Sequence, residues 1–295
     1  MNHIYTAFNL NISSAIPLPG PIATNAQPDV FIKLGRLRRF LSEITTRESD
    51  FEVTKDGVFL FFESEGTLLV RGGNEIIVDP VPGVSDWALS LIILGPALAI
   101  LLSQRGLLTL HGAALALGGN GIVFLGERGC GKSTLAAAFH SMGYSVLSDD
   151  ITAVQIDRDN LKVLPGFPII KLESESAAPY RENLQRISEL PSYLRIQIFH
   201  VPRRFPKFPL PLKHIYVLAE AQDIRIEPLG LQDSLVELVR HSYRASLLKG
   251  IQTSWHFLQC TSLVNNVPIR RLNRPLSLSS LPNVVRIVEK DLACN

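Results

Sequence analysis

The chain has 295 residues, room for one large domain or two of ordinary size. Hydrophobic residues make up 46% and charged residues only 19%, which excludes a disordered polyelectrolyte and allows a substantial core. With 29 basic against 27 acidic residues the net charge is +2, and no basic stripe stands out, which argues against nucleic acid as the main partner.

The opening MNHIYTAFNL has no basic segment followed by an apolar run, so no signal peptide is expected. Residues 1–85 read as a β-rich region. The segments NHIYTAFNLNIS, DVFIKLG, GVFLFFES, GTLLVRG and NEIIVDP are strand-like runs separated by Pro, Gly, Asn and Asp turns, and they carry no catalytic constellation. Trp87–Leu102 is strongly apolar but is interrupted by Gly95-Pro96 and falls short of the roughly 20 residues a membrane span needs. Residues 86–104 are therefore expected to form a buried, kinked connecting helix.

Leu107–Leu117 and Gly121–Leu125 read as two strands joined at Gly118-Gly119-Asn120, residues that accept the positive φ of a tight hairpin. A helix is expected from Thr134, ending at Gly143, then a short strand YSVLSDD. ITAVQID and LKVLPGFPIIKL read as a further hairpin over 151–172, and 173–190 as a polar helix. FHVPRRFPKFPLPLKH reads as an exposed loop, IYVLAE and IRIEPL as strands, and DSLVELVRHSYRASLL as an amphipathic helix. The closing VPIRRLNRPLSLSSLPNVVRIVEKDL reads as a strand followed by a helix.

Between the strand GIVFL and the helix lies Gly126-Glu127-Arg128-Gly129-Cys130-Gly131-Lys132-Ser133-Thr134, which fits G-x-x-x-x-G-K-[ST] in full. Glycines at Gly126, Gly129 and Gly131 let consecutive backbone N–H groups turn inward around an anion, and the helix directs its positive end at the same point. In that frame Lys132 reaches the terminal phosphates of a nucleotide and Ser133 ligates magnesium. This predicts a site for a nucleoside triphosphate, ATP or GTP, with Mg2+.

Asp149 and Asp150 close the strand after that helix. A parallel strand there would place one carboxylate in the metal shell and let the other take a proton from an attacking hydroxyl. The three cysteines, Cys130, Cys260 and Cys294, are too scattered for a disulfide framework or a zinc site, and a reducing cytoplasm is expected.

His111-Gly112, the strand, GERGCGKST and LSDD together resemble the catalytic domain of HPr kinase/phosphorylase, over about residues 105–172. The resemblance implies an α/β P-loop core of the HPr kinase and phosphoenolpyruvate carboxykinase type with a mixed sheet. Lys132, Ser133 and Thr134 would hold phosphates and magnesium. Asp149 would be the base and Asp150 the metal ligand, or the reverse, with His111 orienting them. LPGFPIIKL lacks the Arg-Gly pair tied to phosphorolysis in that family, so the resemblance does not extend to dephosphorylation. Its N-terminal region also differs.

Across the whole chain, AFNLNISSAIPLP, LHGAAL, LSDD, PGFPIIKL and PLPLKHIYVL are similar to a shorter HPr-kinase-like group from peptide natural-product clusters. That similarity implies phosphorylation of the C-terminal serine of a lasso-type precursor peptide. The wider family forms rings, which allows a homo-oligomer.

Other candidates are Lys171, for a phosphate or a peptide carboxylate, and Arg244 with His241, read on one helix face, Arg244 as an arginine finger. The run Arg203-Arg204-Phe205-Pro206-Lys207 reads first as a charge-rich surface loop and second as a clamp for an acidic peptide or its carboxylate, and Arg128 faces solvent or nucleotide. The expected division is a β-rich region over 1–85, the connecting helix over 86–104 and a kinase domain over 105–295. A regulatory NTPase, a small-molecule kinase and a non-catalytic binding module remain as alternatives.

Overall fold

The computed structural model describes all residues except 1, 21, 23–25, 38–49, 159, 181–183, 188–195, 203–204, 244–252 and 295. Its first seven strands, β1 (His3–Ala7), β2 (Leu10–Ser14), β3 (Val30–Leu34), β4 (Phe51–Thr54), β5 (Gly57–Phe62), β6 (Gly66–Arg71) and β7 (Glu75–Pro80), form one sheet in the order β1-β2-β3-β7-β6-β5-β4. The segment expected as one opening strand is a hairpin. Phe8 and Asn9 take φ of 53° and 59°, the left-handed pair a two-residue turn of matching twist requires. Alternate residues Ile12, Ile32, Leu60, Leu68, Ile76 and Val78 point to one face and lose all exposure.

That face packs on two helices, α1 (Asp86–Ile92) and α2 (Leu98–Gln104), joined through Ile93–Ala97. Ser85 caps α1 by accepting the Ala88 N–H. The joint is a wide π turn with Pro96 inside it and Gly95 outside helical geometry, because Pro96 cannot supply an N–H to the ladder. The whole stretch Asp86–Gln104 is long and apolar enough to cross a bilayer, yet 67% of its most apolar window is buried inside the protein.

The remaining elements are β8 (Leu108–Leu117), β9 (Asn120–Leu125), α3 (Lys132–Ser141), β10 (Ser145–Ser148), β11 (Ile151–Asp157), β12 (Asn160–Leu164), β13 (Ile169–Glu173) and α4 (Ser174–Ala177). They continue with β14 (Gln185–Arg186), β15 (Ile196–His200), β16 (Leu210–Glu220), β17 (Arg225–Pro228), α5 (Leu231–Arg240), α6 (Thr253–Asn266), β18 (Ile269–Arg274) and α7 (Leu281–Ala293). Eight strands make a mixed sheet in the order β10-β8-β11-β12-β16-β18-β17, with β9 between β8 and β16. β9, β16 and β18 run parallel, and the other pairings are antiparallel. Phe124, Phe139 and Tyr216 fill the core between this sheet and helices α3 and α7. The fold is mixed α/β with several sheets and few helices.

Five expectations change. β10 pairs antiparallel with β8, not parallel with the loop strand; it runs in the direction of β9 with β8 between them. β13 leaves the expected hairpin at Pro165-Gly166-Phe167-Pro168 and joins β15 and β14 in a separate three-stranded sheet. The polar helix over 173–190 shrinks to α4 and a 3-10 turn at Ala178–Tyr180, where Pro179 interrupts it, and β14 follows. The loop over 199–214 is strand at both ends, in β15 and β16, with Phe199 and Val201 buried. The helix expected from 233 to 248 stops at Arg240, because the next residues pair with β8 through a Leu110–Ser242 bridge.

Candidate functional site

β9 delivers the chain into the glycine loop at full burial, and Gly126, Gly129 and Gly131 take φ of 154°, 85° and 82°. A Cβ on Gly131 would lie 2.5 Å from Arg274 Nη2, so a side chain there would displace the guanidinium as well as strain the left-handed backbone. Gly131 caps α3 with no side-chain hydrogen bond, which leaves the first N–H groups of the helix without a side-chain cap. Lys132 is buried and donates to the Gly126 and Glu127 carbonyls at 2.7 and 3.0 Å.

The acid pair lies where β10 gives way to β11. Both strands run along β8, and the register shifts between Val146 and Ser148. Asp150 sits at φ 74°, a left-handed conformation that costs a non-glycine residue about 1 kcal/mol or more. Ser133 donates to Asp149 Oδ1 at 2.8 Å, and the Lys171 N–H donates to Asp149 Oδ2 at 2.8 Å. The Lys171 ammonium is 2.8 Å from Asp150 Oδ2, and His111 Nδ1 is 3.2 Å from Asp150 Oδ1.

These surroundings separate two adjacent carboxyls. Burial pushes the Asp149 carboxyl up from its usual range, against the hydrogen bonds from Lys171 and Ser133. Burial acts on Asp150 in the same sense, but Lys171 and His111 outweigh it and hold that carboxyl well below the usual range. One acid is thus kept ionised beside a neighbour of higher proton affinity.

A cavity of about 270 Å³ joins these groups. The glycine loop with Arg128, Lys132, Ser133 and Thr134 lines it together with His111, Asp149, Asp150, Lys171, Glu173 and Ser176. Cys130 is half-buried in the loop, and burial raises its thiol pKa, which suits a packed thiol rather than a reactive one.

His241 is at the end of α5, buried, 3.3 Å from Glu237, and its carbonyl accepts the His111 N–H at 2.7 Å. Two residues on, the Tyr243 ring meets His111 edge-on at 5.9 Å. Arg244 lies outside the described residues, as do Arg203 and Arg204, while Phe205, Pro206 and Lys207 do not line the cavity.

Sequence reasoning missed Arg274. It is 2% exposed at the end of β18, donates from Nη2 to the Cys130 carbonyl at 2.5 Å and from Nη1 to Pro275, and its Nε has no partner. Among the described residues no carboxylate pairs with it. The guanidinium lies against the glycine loop through the Cys130 carbonyl and does not itself line the cavity, so its positive charge acts on that loop from behind. No local motif marks Arg274; only the parallel pairing of β16 with β9 and β18 brings it there.

Among the described residues no cluster of three or more His, Cys, Asp or Glu could hold a metal alone. The hard oxygen donors of Ser133, Asp149 and Asp150 suit magnesium, which takes one or two carboxylates and completes its shell with water and substrate phosphates.

No protein-family model matches the chain, and no curated protein sequence matches it. Among solved structures, the HPr(Ser) kinase/phosphatase from Coxiella burnetii aligns over 63% of this chain and 97% of its own, at 14% identity and a TM-score of 0.32. A likeness that distant carries no functional weight, and the chemistry of the site stands on its own geometry.

Proposed function

We propose that the protein is an ATP-dependent kinase acting through a P-loop at Gly126–Thr134. The observation that carries this reading is the meeting, in one cavity, of an uncapped helix start with a hydroxyl and two carboxylates of opposed proton affinity. The loop N–H groups and Lys132 hold the phosphates of ATP, and Ser133 and Asp150 hold magnesium, which supplies charge neutralisation there. Asp149, whose proton affinity is raised, accepts the proton of the incoming hydroxyl. The hydroxyl oxygen bonds to the γ-phosphorus as the bond to the β,γ-bridging oxygen breaks, and ADP leaves with that electron pair. His111 positions Asp150 from the far side.

The acceptor favoured by the sequence resemblance is the C-terminal serine of a lasso-type precursor peptide. The three free thiols suit a reducing cytoplasm. Mass spectrometry after incubation with ATP, Mg2+ and a peptide ending in serine tests the reading, beside Lys132→Ala and Asp149→Asn. One added phosphate on the serine, lost in both variants, supports it. ATP hydrolysis with no modified peptide sinks the peptide acceptor and favours an NTPase or a small-molecule kinase.

A further inference from the structure

Lys171 touches both acids of the site, through its backbone to Asp149 and through its ammonium to Asp150. Its side chain is 15% exposed and the residue lines the same cavity as Lys132 and Ser133, so it is no solvated surface lysine. It comes from β13, in the three-stranded sheet, whereas the acid pair belongs to the eight-stranded one. The ammonium is thus held on Asp150 by a packing between two sheets.

That position conflicts with a metal. A divalent ion on the Asp150 carboxylate would stand beside the ammonium, and two cations sharing one partly buried carboxylate repel each other. His111 already occupies the other oxygen of Asp150 at 3.2 Å. The lysine, a point charge on a flexible four-carbon stem, is the group able to move. Phosphates held by the loop would lie in the same cavity that Lys171 lines.

We propose that Lys171 is a catalytic cation that exchanges partners: it holds Asp150 in the metal-free site, yields that carboxylate to the metal, and turns to the phosphoryl group in transfer. Both halves rest on the reading of Asp150 as the metal ligand; only the catalytic half also needs the kinase reaction. Lys171 then serves as the transferred group's own counter-charge, brought in cis from β13.

The test uses the full chain with Lys171→Met and Lys171→Arg, and Mn2+ alone as the probe, followed by electron paramagnetic resonance in the absence of nucleotide. Removing the competing ammonium is expected to tighten Mn2+ binding by about tenfold or more in Lys171→Met, while turnover falls by about 100-fold. Lys171→Arg keeps the charge and is expected to lie between the two. Asp150→Asn, whose fold is checked by circular dichroism, is expected to abolish the tightened binding when combined with Lys171→Met. Unchanged or weaker Mn2+ binding in a folded Lys171→Met protein overturns the exchange, as does absence of Mn2+ binding in both proteins. Tighter Mn2+ with undiminished turnover overturns the catalytic half. Tighter Mn2+ in a protein that binds no ATP sinks the kinase reading and leaves the exchange standing.

Discussion

The Ser133 hydroxyl donates to Asp149 Oδ1 at 2.8 Å, tying the first turn of α3 to the break between β10 and β11. One hydrogen bond therefore joins the glycine loop to the acid pair. Ser133→Ala removes it together with the proposed magnesium ligand, at a cost to folding of only about 1 kcal/mol. Turnover is expected to fall by about 100-fold or more and the Mg2+ requirement to rise, which a rate series against Mg2+ concentration reads directly. Turnover and Mg2+ dependence like those of the wild type would contradict the role.

Arg274 makes a different prediction because its charge is buried and has no counter-ion among the described residues. Replacing a costly buried charge by an apolar side chain of similar size is often close to neutral for stability. Arg274→Met should melt within a few degrees of the wild type when free, yet lose most of the thermal stabilisation given by Mg·ATP. Equal ligand-induced shifts in the two proteins would show that Arg274 only shapes the loop.

Two loop glycines should respond unequally to alanine. Both Gly129 and Gly131 lie at positive φ, but a Cβ on Gly129 meets nothing within 4 Å, whereas one on Gly131 lies 2.5 Å from Arg274. Gly129→Ala is expected to cost about 1 kcal/mol from backbone strain alone, and Gly131→Ala roughly twice that or more. Urea unfolding of the pair checks the order, and equal losses would mean that Arg274 gives way freely.

Stability should depend on pH through three buried histidines. Burial holds His214, His241 and His256 below the ordinary histidine value of 6.5. Between the lowered value and 6.5 the unfolded chain binds more protons than the folded one, so stability rises with pH across that window. It is fully present above 6.5 and is lost as pH falls toward the folded values. His214 has neither ring nitrogen paired and stacks on Tyr216. His214→Phe is expected to stabilise the protein by about 1 kcal/mol at pH 7, by removing an unsatisfied buried donor, and to flatten the melting profile just below pH 6.5. A steeper profile in the variant would contradict this.

What could be read in the sequence was local. The strand and helix flanking GERGCGKST are set by contiguous residues, and the expected strand Gly121–Leu125 differs from β9 by one residue. The spacing brings Ser133 and the acid pair to one place and β10 runs parallel to β9 as expected, but β8 lies between them, because strand order depends on partners distant in sequence. Lys171 could be seen only as a candidate, and its contacts arise from the packing of two sheets. Arg274 reaches Cys130 across 144 residues and left no trace. The amphipathic period from 233 onward continues past Arg240, yet pairing with β8 turns the chain at His241, so tertiary contact overrides periodicity. Helix α6 was passed over because Trp255, Phe257 and Leu258 are exposed while His256, Gln259 and Cys260 are buried, leaving no clean apolar stripe.

The central claim, a nucleoside triphosphate seated in the glycine loop, is tested most directly by calorimetric titration of Mg·ATP into the wild type and Lys132→Ala. The account predicts saturable one-to-one binding to the wild type and an affinity weaker by about 100-fold or more in the variant. No binding to the wild type, or equal binding to both, would contradict it.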